Sequence, residues 1–188
     1  MELCGKTAIY GGSFNPPHLG HQMVCLYLLE GLGADAVWMV PSFTHPLAKE
    51  LASFEHRFAM CERLAAPFGE RVRVMDIERN LGGHGRTYDT LVHLRDAYPS
   101  HEFVLVVGAD ILEETRLWYR WDDIKMLVPI QVVGRAGYAE GAQANAPQMP
   151  AIASRILRER LRAGEDVMGQ VPLEVLRYIR ARGLYGGD

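Results

Sequence analysis

The chain has 188 residues, 48% of them hydrophobic and 23% charged, with a net charge of −3 and a pI near 6.2. This size and make-up fit one globular domain, 1–188, with 151–188 as its C-terminal helical part. A binder of polyanions normally carries a basic excess, so the balance of charge gives no case for a nucleic-acid or membrane partner.

The first residues, MELCGKTAIYGG, hold no long apolar run of the kind that opens a secretory signal, and nowhere do about 18 apolar residues follow one another. Thr7–Tyr10 predicts a short strand ending at Gly11-Gly12. Met23–Leu29 predicts a helix that is apolar nearly all round and so deeply buried. Ala36–Val40 is a second strand, closed by Pro41. Phe54, Phe58, Cys61 and Ala65 form a one-faced helical stripe, and Val72–Ile77 is a third strand. Tyr88, Leu91, Arg95 and Tyr98 set another helix, stopped by Pro99. Phe103–Val107 is a fourth strand, ending at Gly108, and Ile130–Val133 a fifth. Gly137–Pro150 reads as a loop. Two helices follow: Ser154–Ala163, ended by Gly164, and one opened by Pro172 and closed by Gly183.

Continuous rather than alternating apolar strands, separated by helices, indicate an α/β fold. The expectation is a Rossmann-like, doubly wound parallel sheet with a small C-terminal helical lobe, whose ligands lie at the carboxyl edge of the strands. Cys4, Cys25 and Cys61 are odd in number and lack a CxxC pair. They read as reduced thiols of a cytoplasmic protein, with Cys25 and Cys61 in the core. A homo-oligomer is compatible with the sequence, which does not set the assembly.

The segment Gly11-Gly12-Ser13-Phe14-Asn15-Pro16-Pro17-His18-Leu19-Gly20-His21 leaves the first strand and enters a helix. Glycines there let the backbone approach a bulky anion, and helix N-terminal amides add donors and positive potential. It is neither the GxGxxG dinucleotide fingerprint nor a Walker loop. His18 and His21, three apart, face the same way on a helical turn, and Gly20 between them leaves room for a ligand. Three readings stand at this point: a phosphate cradle, which the anion-site physics favours; a zinc pair, which needs further ligands that no Cys or His cluster supplies; and packing.

GGSFNPPHLGH resembles the signature of the HxGH nucleotidyltransferase superfamily and, within it, the nicotinate or nicotinamide mononucleotide adenylyltransferases. Ser53-x-x-His56-Arg57-x-x-Met60, Arg86-Thr87-Tyr88-Asp89-Thr90-Leu91, Gly108-Ala109-Asp110 and Trp118-Tyr119 resemble further family elements in the same order. So does the tail from Val171-Pro172 to Gly183-Leu184-Tyr185. The resemblance implies transfer of AMP from ATP to a pyridine mononucleotide, with Mg²⁺ riding on ATP and no metal site of the protein's own. It carries His18 and His21 to the catalytic role, with the amides of Gly12, Ser13 and Phe14 nearby. Gly11, Gly108, Asp110, Ser154 and Arg158 go with ATP. Lys49, Arg57, Thr87, Trp118 and Tyr119 go with the acceptor.

For Asp110 a ribose-binding carboxylate and a helix N-cap both fit the residue alone. For Trp118 a stacking face for the pyridine and core packing both do. The chain departs from the family's ISSTxIR stretch at Ala153 and Arg155, where Arg155 stands in for a hydroxyl with charge, and His45–Lys49 lacks the bacterial PPHK pattern. These departures keep two alternatives in view: a nucleotidyltransferase for another phosphate monoester such as phosphopantetheine, and a nucleotide-binding sensor without catalysis. The choice between nicotinate and nicotinamide is not legible.

Overall fold

The computed structural model describes residues 2–44, 51–82, 86–109, 112, 114–134 and 147–186. Five strands, β1 (Lys6–Gly12), β2 (Ala36–Pro41), β3 (Val72–Val74), β4 (Glu102–Gly108) and β5 (Ile130–Val133), form one all-parallel sheet in the order β3-β2-β1-β4-β5. Register is set by residues that alternate faces. Ala8, Val37, Met39, Val104 and Val106 enter one core, and Ile9, Trp38, Val40, Leu105 and Val107 the other. Both faces are dry, which is why the strands read as unbroken apolar runs.

Helices α1 (Leu19–Leu26), α2 (Phe54–Ala65), α6 (Ser154–Arg162) and α7 (Leu173–Ala181) cover the first face. Helices α3 (Ile77–Asn80), α4 (Thr87–Ala97) and α5 (Trp121–Leu127) cover the second. The division follows from handedness. Right-handed crossovers run outward from β1 through β2 to β3 over one face, and from β4 to β5 over the other. The chain therefore reverses direction between β1 and β4, and a crevice opens at that switch point above the strand ends.

The expected elements stand, with local differences. The helix over 23–29 belongs to α1, which continues in a wider π turn, Tyr27–Gly31. It is not buried all round: Val24, Cys25, Leu28 and Leu29 enter the core, while Met23 and Leu26 face outward. The third strand stops at Val74, and Ile77 begins α3, burying its side chain from a helical turn. Gly183 sits at φ +59 after α7. Its N–H reaches Arg180 C=O and that of Leu184 reaches Ile179 C=O, a paired closure that only a left-handed residue permits. Cys25 and Cys61 are buried and Cys4 exposed; burial pushes the Cys25 thiol up to about 12 and Cys61 well above its ordinary value. Among the described residues no helix is long and apolar enough to cross a membrane.

Candidate active site

The turn after β1 is tightly specified. Phe14 takes a left-handed backbone, φ +47, strained for a bulky residue, and its buried ring packs edge-on to Tyr10 at 5.4 Å and to His21 at 5.0 Å. A Cβ on Gly12 would lie 3.1 Å from that ring, whereas one on Gly11 would meet no protein atom within 4 Å and would project into the open crevice. Asn15, fully buried, ties the turn to distant segments. Its Oδ1 accepts the Ala52 N–H at 3.1 Å and the Tyr185 hydroxyl at 2.6 Å.

His18 is the N-cap of α1, and its backbone N–H donates to His21 Nδ1 at 3.0 Å. The two imidazoles stack with centroids 3.7 Å apart and planes 26° from parallel. With Nδ1 an acceptor, the neutral His21 ring carries its proton on Nε2. Gly20 is required by this stack, because a Cβ there would stand 3.0 Å from the His18 ring. The room that the sequence assigns to an approaching ligand is thus filled by His18 itself. Helix amides are also partly engaged: Leu19 N–H donates to Gln170 C=O at 2.9 Å.

Across the crevice stand Thr87 at the start of α4, the buried Thr90 and Leu91, and Trp118, half-buried and edge-on to Trp121 at 5.8 Å. A cavity of about 420 Å³ joins both walls, bordered by Gly11, Gly12, Ser13, Phe14, His18 and His21 on one side and by Thr87, Gly108 and Trp118 on the other. A crevice of this size at a switch point, bordered by paired imidazoles and an indole, suits a nucleotide with an aromatic partner.

The cytidylyltransferase-like family model matches residues 9–160. A probable nicotinate-nucleotide adenylyltransferase of Anaeromyxobacter dehalogenans (strain 2CP-C) is 50% identical over 97% of both chains. One of Myxococcus xanthus is 37% identical over 99% of this chain and 97% of its own. The chain belongs to the nicotinate-nucleotide adenylyltransferase family. The fold also matches the Plasmodium falciparum nicotinic acid mononucleotide adenylyltransferase complexed with NaAD, with a TM-score of 0.81 at 20% identity, covering 96% of this chain and 97% of that one.

In this adenylyltransferase family member several expected contacts stand elsewhere. Arg57, expected at a substrate phosphate, is 1% exposed, and its Nε, NH1 and NH2 donate to the carbonyls of Ala52, Ser13 and Phe43 at 3.0, 2.9 and 3.2 Å. It is an internal clamp that joins the β1 turn to the segments around α2, and burial lowers its pKa. Tyr119 lies off the cavity, edge-on to Tyr88 with the Arg86 guanidinium 4.3 Å over its ring. Ser154 Oγ donates to Pro16 C=O at 3.0 Å and Arg158 NH1 to Asn15 C=O at 2.8 Å, so both brace the turn from α6. Arg155, expected to stand in for a hydroxyl with charge, is exposed and pairs with Glu159 at 2.8 Å. Lys49 and Asp110, and most of the Gly137–Pro150 loop, lie outside the described residues.

Asn15, Tyr185, Ser42 and Glu78 stand at or behind this cavity although sequence spacing gives them no role. Asn15 lies inside the signature, between Phe14 and Pro16, which is the available signal. A strand over 72–77 gives the carboxylate after it no direction, whereas α3 turns Glu78 to the cavity.

Proposed function

We infer that this chain transfers the adenylyl group of ATP to the 5′-phosphate of nicotinate mononucleotide, releasing pyrophosphate and forming the dinucleotide of NAD biosynthesis. A phosphate oxygen of the mononucleotide attacks the α-phosphorus, and the bond from that phosphorus to the bridging oxygen breaks in line. A phosphate is already ionised and nucleophilic at neutral pH, so the protein's task is alignment and charge stabilisation. His21 donates from Nε2 and His18 lies stacked on it beside the triphosphate. The β1 turn, held in shape by Arg57, Asn15, Ser154 and Arg158, brings its backbone close to the reacting phosphates. Trp118 offers its indole face to the electron-poor pyridine, and Thr87 its hydroxyl to the ring substituent. Mg²⁺ enters as the ATP chelate, since it keeps several waters and prefers substrate phosphates to a protein cage.

The observation that carries this reading is that one cavity is bordered by the stacked His18–His21 pair and by Trp118 and Thr87. The relatives named for nicotinate favour that base over nicotinamide. Purified chain with MgATP and nicotinate mononucleotide is expected to form the dinucleotide and pyrophosphate in equal amounts, with a higher kcat/KM than with nicotinamide mononucleotide. Binding of both ligands without any dinucleotide would contradict it.

A further inference from the structure

Two polar groups at the β2 rim of the cavity have no part in the reaction as set out. Glu78, on α3, accepts the Phe43 N–H at Oε2, 2.9 Å away, and borders the cavity. Ser42, the residue before Phe43, is held by its own N–H to Gly12 C=O at 2.9 Å, and it borders the same cavity. Its Oγ is buried without a hydrogen-bond partner among the described residues. Buried hydroxyls in native proteins are nearly always satisfied, which sets this one apart at the cavity's edge. Glu78 holds the N–H of the residue after Ser42, and both residues border the cavity.

The chemistry of the ligand follows from charge. Arg57, whose charge acts on Glu78, spends its donors on three carbonyls, and among the described residues Glu78 forms no ion pair. A carboxylate beside a cleft for two polyanions repels phosphates and the acid of nicotinate alike, and suits cations or hydrogen-bond donors. A pyridine mononucleotide presents such donors as its ribose hydroxyls. Position selects which of the two riboses. Ile77, next to Glu78, packs in the same layer as Trp118 and α4, on the sheet face opposite the α1 and α6 helices that bring His21 and Ser154.

We propose that Glu78, with Ser42 beside it, is a specificity-determining residue for the acceptor, taking hydrogen bonds from the ribose hydroxyls of the pyridine mononucleotide. The proposal rests on the adenylyltransferase reading and deepens it. Steady-state kinetics test it with nicotinate mononucleotide, its 2′-deoxy and 3′-deoxy forms, and dATP in place of ATP. Wild-type enzyme is expected to disfavour at least one deoxy acceptor by about 10-fold or more in kcat/KM. Glu78→Gln is expected to raise KM for the ribo acceptor about 10- to 100-fold, to erase most of that discrimination, and to leave KM for ATP unchanged. Ser42→Ala should do the same more weakly. An active Glu78→Gln enzyme that weakens ribo and deoxy acceptors by one common factor would overturn the proposal, because the carboxylate then only braces Phe43. So would discrimination that moves with dATP, or a shifted Mg²⁺ requirement. The wild-type comparison alone decides the matter should the variant not fold, since equal use of all three acceptors overturns it. Wild-type enzyme that makes no dinucleotide from any of them would remove the functional reading itself, and this inference with it.

Discussion

His21 accepts the His18 N–H at Nδ1, and this one bond decides which of its nitrogens can serve a phosphate. An asparagine at position 21 places its carbonyl oxygen near the Nδ1 position and keeps the cap while deleting the Nε2 donor; an alanine would delete both. Arg57 and Glu78 illustrate what the sequence could not convey. Each is a charged residue in an amphipathic or polar stretch, and each has its role set by the Phe43 peptide, whose C=O meets Arg57 and whose N–H meets Glu78. Neither contact is local in sequence, so no spacing announces it. Burial raises the Glu78 carboxyl above its ordinary 4.5, opposed by the Phe43 N–H and Arg57. A raised carboxyl pKa means that the folded state favours the protonated form, so ionisation of Glu78 costs stability as pH rises through its titration. Glu78→Gln keeps an acceptor for Phe43 and removes that cost. Its denaturant midpoint is expected to match wild type below about pH 4.5 and to exceed it increasingly toward neutral pH. An advantage independent of pH, or a variant less stable at pH 7, would contradict this.

Among the elements, the strands and the long helices were legible because both faces of the sheet are buried and every strand is an apolar run; β5 matches the expected Ile130–Val133. The boundary of β3 was not. Ile77 is apolar and buried in either conformation, so composition alone cannot separate the end of a strand from the first turn of a short helix. The departures at Ala153 and Arg155 were legible both as differences and in their place, the N-terminus of the helix expected from Ser154, which is α6. Ala153 is its N-cap, extended at φ −118 and ψ 125, with no side chain to accept from the first-turn amides, and Arg155 places a cation near the positive helix end. Ala153→Ser is therefore expected to stabilise the protein by about 1 kcal/mol, read as a shift of the chemical denaturation midpoint at constant slope. An unchanged midpoint would mean that the amides are already satisfied by other means.

At the scale of the molecule, the reversal of winding between β1 and β4 sends two helical layers to opposite faces and gives each layer one wall of the cavity. The order of strands and helices made that edge predictable, and the signature after β1 located one wall of it. The opposite wall was legible only at Trp118 and Thr87, through the family resemblance, because its remaining polar groups reach the cavity through α3 and the Ser42–Phe43 turn. The central claim is this division of labour: the α1 layer holds the triphosphate and the α4 layer the acceptor. Calorimetric titration of each ligand alone tests it, with a non-hydrolysable ATP analogue and nicotinate mononucleotide added to His21→Asn and to Trp118→Ala. His21→Asn is expected to weaken the ATP analogue by about 10-fold or more and leave the mononucleotide unaffected, while Trp118→Ala does the reverse to a similar degree. Equal weakening of both ligands by either variant, or the opposite pairing, would contradict the account.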